Sequence, residues 1–257
     1  YCFGNCKNLQ SINIPSNVDS IGPAVFMGCE FLKSVSVQNE NNTYDSRDNC
    51  NAIIKTSENK LIAGCHKTII PNTIIHIDDF AFLGITRLTS IVIPESVTTI
   101  GDGAFAVCVK LNHISIPTSV VSIGASAFRY TNWYLKQPDG GIYVNDILCD
   151  YKDENHENRT TYQIKEGTRV IAAEAFFDCD FLRSIYIPNS VVSIADLAFA
   201  DCDSLRSISI PESVIGIGDL AFANCRALTS IEIPQNVTYI GCGIVTGCDS
   251  LKSITVD

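Results

Sequence analysis

No apolar run in the sequence approaches the roughly 18 residues that a bilayer-crossing helix needs, which leaves no membrane-spanning segment. A basic-then-apolar leader is also missing from the N-terminus. Positive charge is scarce: 18 lysines and arginines stand against 28 aspartates and glutamates, for a net charge of −10. With a pI near 4.8, the chain is a poor match for nucleic acid or an anionic membrane surface. There is no C-x-x-C pair and no paired-histidine spacing, so metal binding finds no support. The four histidines, His66, His76, His113 and His156, are scattered. Neither a nucleophile elbow nor a glycine-rich phosphate loop occurs. The expectation is therefore no enzyme, no cofactor and no metal.

What the sequence does have is a period. Phe3, Phe26, Phe82, Phe105, Phe128, Phe176, Phe199 and Phe222 open copies of one phrase, most of them 23 residues apart. A proline closes an Ile-x-Ile-like phrase at Pro15, Pro94, Pro117, Pro188, Pro211 and Pro234. In the copy that starts at Phe199 the landmarks are Cys202, Leu205, Ile208, Ile210, Pro211, Val214, Ile217 and Gly218. Ile208-Ser209-Ile210 alternates as a short strand with both isoleucines inward. Pro211 cannot donate to a ladder and ends that strand. Phe199, Cys202 and Leu205 recur every third residue, as in a tight helical or 3-10 turn. Val214–Ile217 reads as an extended segment, and Gly218 as a permissive bend into the next copy. One such coil cannot bury enough apolar surface to offset its own ordering entropy, so coils must stack on a shared core.

The phrase Leu-x-Ser-Ile-x-Ile-Pro-x-Ser-Val-x-x-Ile-Gly-x-x-Ala-Phe-x-x-Cys resembles the BspA-like leucine-rich repeat of bacterial and protozoan surface proteins. The expected fold is a right-handed leucine-rich-repeat solenoid. A parallel β-sheet would line its concave side, with short helical or 3-10 turns and extended segments on the other. One solenoid would span residues 1–257, read as a fragment of a longer array because both ends fall inside repeats. Irregular units at about 39–70 and 131–167 lengthen the phenylalanine spacing. In the first, Ala52–Ile54 and Leu61–Ala63 flank Ser57-Glu58-Asn59 as a hairpin. In the second, Gly141–Val144 and Ile147–Tyr151 flank Asn145-Asp146, ahead of a polar loop at Lys152–Thr160. Both read as excursions from the stack.

Cys6, Cys29, Cys108, Cys179, Cys202, Cys225 and Cys248 all lie three residues after the phenylalanine position, as a column of buried free thiols. Disulfides between neighbouring coils are the alternative, against which in-register side chains make the required torsion awkward. Cys50 and Cys65 fall off that column and are the better disulfide candidates. Asp178, Asp180, Asp201, Asp203 and Asp249 bracket column cysteines, and stacked coils would bring these like charges together. The relief would come from Arg183 and Arg206 or from a bound calcium ion, unless the ridge is simply solvated and caps local turns. Trp133, with Tyr134 after it, either plugs the core or offers an aromatic platform. Asn41, Asn158 and Asn236 begin Asn-x-Thr sequons.

The outward positions of the strands hold mostly serine, which suits either close sheet packing or a shallow docking floor. Specificity in a docking floor would come from the exceptions His113, Tyr186 and Glu232, with Arg183 and Arg206 at the strand starts and Trp133 in the irregular unit. The resemblance implies a non-enzymatic adhesion or protein-binding module, extracellular or at the cell surface and monomeric. Its partners would be host or cell-surface proteins such as extracellular matrix. The alternative is a carbohydrate-binding or spacer segment that presents another domain.

Overall fold

The structure, a computed structural model, describes residues 3–153 and 159–256. Tyr1, Cys2, His156, the sequon asparagine Asn158 and Asp257 lie outside the described residues. The chain forms two compact units, Tyr1–Gln137 and Pro138–Asp257. The same coil builds each.

Phe199, Cys202, Leu205, Ile208, Ile210, Val214 and Ile217 are all buried, so every apolar landmark of the reference copy reaches the interior. Ser207–Ile208 pairs in parallel with Ser184–Tyr186, matching Ser184 to Ser207 and Ile185 to Ile208. The stretch read as merely extended carries a second strand, Gly216–Ile217, which pairs in parallel with Ser193–Ile194 and Tyr239–Ile240. That second sheet is the longer one, with six strands in each unit, whereas the Ile-x-Ile strands pair in twos and threes. Proline follows most Ile-x-Ile strands, at Pro15, Pro94, Pro117, Pro188, Pro211 and Pro234, and ends each there, while the second segment contains none.

The tight turns expected at Phe-x-x-Cys-x-x-Leu are present as linked reverse turns. The Leu205 N–H donates to the Cys202 carbonyl at 3.0 Å, and the Leu111 N–H to Cys108 at 2.8 Å. They do not merge into a helix, because the residue two after each phenylalanine takes a left-handed conformation, as at Gly84, Val107, Asp178, Asp201 and Asn224. The residue two before it does the same, as at Phe80, Glu174, Leu197 and Leu220. Among the described residues, helix is confined to the α-helical turn Asn132–Leu135 and 3-10 turns at Arg47–Asn49 and Thr56–Glu58.

Both hairpins form where the sequence places them, Ala52–Lys55 against Lys60–Gly64 and Gly140–Val144 against Ile147–Lys152. They are not excursions. Lys60–Gly64 pairs in parallel with His76–Ile77, and Ile147–Lys152 with Val170–Ile171. Each hairpin thus supplies the second-sheet strand of its coil and adds a further strand at the sheet edge. Tyr44–Asp45 extends the first hairpin by one more antiparallel strand. Lys152, expected in a solvated loop, is instead buried within its strand.

Stacking carries the core. Phe82, Phe105 and Phe128 lie with ring centroids 5.0 and 5.8 Å apart and planes within 11° of parallel. Phe176, Phe199 and Phe222 repeat this at 5.1 and 5.3 Å. Each buried ring contributes about 1.5–3 kcal/mol from area alone. Gly218 has a role other than the expected bend. A Cβ there would sit 2.3 Å from Oδ1 of Asp196 and 2.5 Å from its backbone N. The missing side chain lets that carboxylate reach across and accept the Asp219 N–H at 2.7 Å. The same bond recurs from the Asp102 N–H to Asp79, from the Ala125 N–H to Asp102 and from the Cys242 N–H to Asp219.

Candidate interaction surface

Alternation along the Ile-x-Ile strands turns every second side chain away from the core. In the first unit, Ser90 lies beside His113 and Val92 beside Ser115. These side chains, with Asn112 and Trp133, line an open groove of about 310 Å³. Trp133 reaches it from the helical turn Asn132–Leu135, which Thr131 caps by accepting the Tyr134 N–H at 3.0 Å. The indole packs edge-on against Phe128, at 5.2 Å and 64°, and is half-buried. Trp133 therefore closes the phenylalanine column and borders the groove at once.

In the second unit, Arg183 and Arg206 precede adjacent strands, and the Arg206 N–H donates to the Arg183 carbonyl at 3.1 Å. Both are exposed. Tyr186, 51% exposed, lies beside Gln163, and Glu232 beside Thr255. Glu232 also lines a groove of about 370 Å³ with Ser207, Ser209, Glu212 and Ser230. The six residues picked from the sequence thus fall into two groups. His113 and Trp133 meet in one unit, while Arg183, Tyr186, Arg206 and Glu232 share the strand face of the other.

The aspartates beside the cysteines have a backbone explanation. Asp178 and Asp201 occupy the left-handed position, at φ of 61° and 59°, where aspartate, asparagine and glycine are the tolerant residues. Asp201 accepts from Asn224 Nδ2 at 2.8 Å. Asp203 pairs with Arg226 at 3.2 Å, so the charge relief comes from Arg226, in place of Arg183 or Arg206. Burial, and then the nearby Asp178, pushes the Asp180 carboxyl up. Among the described residues, no group of three His, Cys, Asp or Glu side chains is placed to hold a metal ion.

The column cysteines are thiols with a definite task. Sγ of Cys108 donates to the Phe82 carbonyl at 3.0 Å, Cys202 to Phe176 at 3.1 Å and Cys225 to Phe199 at 3.1 Å. Each of these thiols satisfies a carbonyl of the preceding coil, whereas Cys6, expected to be buried, is exposed and Cys179 turns to the Phe177 carbonyl of its own coil. Burial pushes Cys108 and Cys225 up to about 12. Cys50 and Cys65 are also free thiols. They bond to the carbonyls of Ala52 and Asn51, and no disulfide joins them.

No helix among the described residues is long and apolar enough to cross a membrane. The family described as "BspA type Leucine rich repeat region" matches in six copies, over residues 1–59, 63–137 and 153–257. No curated protein matches the chain. A leucine-rich repeat protein from Eubacterium ventriosum is 23% identical, with 95% of this chain aligned to 60% of that one at a TM-score of 0.47. The pneumococcal vaccine antigen PcpA is 22% identical, with coverage of 96% and 62% and a TM-score of 0.48. A leucine rich cell surface protein from Faecalibacterium prausnitzii is 23% identical, with coverage of 99% and 81% and a TM-score of 0.44. The chain spans about three fifths of the length of the first two.

Proposed function

Since the chain belongs to the BspA-type leucine-rich repeat family, we propose that it is a non-enzymatic module, secreted or at the cell surface, that binds macromolecules through the outward face of its Ile-x-Ile strands. One observation carries this reading: in each unit that face holds an open groove floored by short side chains, bordered by Trp133 in the first and by Glu232 in the second. A surface of that shape suits shallow contact at many points, in contrast to the enclosed pocket that a small ligand needs. Tryptophan, tyrosine and arginine are the residue types that most often dominate such contacts, and here they are Trp133, Tyr186, Arg183 and Arg206. The partners are cell-surface or extracellular-matrix proteins.

The test is binding of the whole chain to a panel of purified matrix and cell-surface proteins alongside a glycan array. Val92→Asp and Tyr186→Asp, both at exposed outward positions, should weaken binding to a protein partner by about tenfold or more. Glu95→Ala, outside these strands, should not. Binding to glycans alone would favour the carbohydrate-binding alternative. Binding to neither, or binding indifferent to both outward substitutions, overturns the proposal.

A further inference from the structure

The charge of this chain is divided unevenly. Residues 1–137 hold ten lysines and arginines against ten aspartates and glutamates, whereas residues 138–257 hold eight against eighteen. The first unit is therefore neutral, and apart from Arg129 and Lys136 its cations are of two kinds. Lys7, Arg47, Lys55 and Lys60 each lie within 4.0 Å of a carboxylate. Lys33, Lys67, Arg87 and Lys110 are exposed and, among the described residues, have no carboxylate at that distance.

The fold sets these four along one edge. Lys33 immediately precedes the strand Ser34–Val37, and Arg87 and Lys110 each stand three residues before the strands Ser90–Val92 and His113–Ser115. Lys67 precedes Ser90 by one 23-residue period and Ile69 precedes Val92 by the same period. The second-sheet strands of these coils keep the same period, His76 pairing with Thr99 and Ile77 with Ile100. The guanidinium of Arg87 lies over the Phe31 ring, 4.5 Å from its centroid, which holds the cation in place. Burial pushes the His66 imidazole down, and the nearby Lys67, Arg87 and Lys33 act in the same direction. Beside this row, Ile69 and Val92 are 76% and 70% exposed, and the groove of His113 and Trp133 continues from Val92.

We propose that this face of the first unit docks an extended acidic peptide segment that carries apolar side chains. The inference rests on the reading above and names the chemistry of the partner. Its carboxylates meet Lys33, Lys67, Arg87 and Lys110, and its apolar side chains cover Ile69 and Val92. A sulfated polysaccharide could answer the cations, but it would leave those two side chains facing a polar ligand. The second unit, with its excess of carboxylates, would repel the same peptide.

The probe is a fluorescently labelled peptide of about a dozen residues alternating glutamate and leucine, titrated with the whole chain and followed by anisotropy. Control peptides alternate lysine with leucine and glutamate with serine, and heparin serves as a competing ligand. The glutamate–leucine peptide should bind at least about tenfold tighter than either control and weaken as salt screens the charges. The triple variant Lys33→Glu/Arg87→Glu/Lys110→Glu should remove binding, and Lys33→Gln/Arg87→Gln/Lys110→Gln should weaken it. Val92→Asp should also weaken it by about tenfold, while Arg169→Glu, at an exposed position of the second unit, should leave it unreduced. Circular dichroism establishes that each variant is folded. Equal binding of the lysine peptide, indifference to both triple variants, or capture of heparin in place of the peptide overturns the proposal. Protein-panel binding that is lost in Val92→Asp alongside such a result would sink the acidic-peptide inference and leave the broader reading standing. Failure of the panel altogether would sink the broader one.

Discussion

Val107 sits at φ of 60°, a conformation that a β-branched side chain resists at a cost of about 1–2 kcal/mol. Its counterpart one coil earlier is Gly84, at φ of 67°, which meets the same demand without strain. Val107→Gly should therefore raise the denaturation midpoint, by about 2–4 °C, and Gly84→Val should lower it. Thermal melts of the two variants beside the parent chain check both signs. The demand was poorly legible in the sequence. Asp178 and Asp201 look like a charged ridge until their φ values show that aspartate is there partly for its backbone tolerance. The cysteine column was legible, because one residue type recurs at one place in the period; its bond to the preceding phenylalanine carbonyl was not. With the thiols of Cys108 and Cys225 pushed up to about 12, neither should react with a disulfide reagent at neutral pH until the chain unfolds. Exposed Cys6 and Cys242 should react at once, and peptide mapping after timed alkylation reads the difference.

Gly216 and Gly218 flank the same isoleucine, yet they answer different needs. Nothing lies within 4 Å of a Cβ built on Gly216, whereas one on Gly218 would strike the backbone and carboxylate of Asp196. Gly216→Ala should be neutral or mildly stabilising, and Gly218→Ala should cost several times the roughly 0.5–1 kcal/mol that separates the two residue types elsewhere. Paired urea melts decide it, and equal effects would contradict the close approach of the coils. At the edge of the first hairpin, Asp45 is gripped by Arg47, with bonds of 2.9 and 2.6 Å, and by Thr56 at 2.9 Å. Burial alone would raise its carboxyl, but the hydrogen bonds from Arg47 and Thr56 outweigh it and hold the pKa below the ordinary value. A depressed carboxylate stabilises the fold above its unfolded pKa of about 3.9 and stops doing so as pH falls through the lower folded value. Asp45→Asn should therefore destabilise the chain at pH 7, with the difference from the parent shrinking in acid. The hairpins were legible from their turns, at Ser57-Glu58-Asn59 and Asn145-Asp146. Their insertion into the second sheet was hidden, because the partner strands His76–Ile77 and Val170–Ile171 are two residues long and leave no alternating pattern.

Across the whole chain, the period reveals the coil and says little about the surface. Phe199, Cys202, Leu205, Ile208 and Val214 recur because neighbouring coils share their burial, so the core could be read almost residue by residue. Outward positions such as His113, Tyr186 and Glu232 are free of that constraint, and so is the row of Lys33, Arg87 and Lys110. Such residues become a surface only once the register between coils is known, which is why the six sequence candidates separated into two groups. Every binding claim therefore depends on equivalent side chains lying one coil apart. The most direct test of that dependence is a nuclear Overhauser spectrum of the chain with labelled phenylalanine rings. Contacts should run from Phe82 to Phe105 to Phe128 and from Phe176 to Phe199 to Phe222, at the 5.0–5.8 Å seen between their centroids, and should skip no coil. Rings that show no contact with the next coil, or that relax under a soluble paramagnetic agent as exposed groups do, would contradict the stack and the binding face built on it.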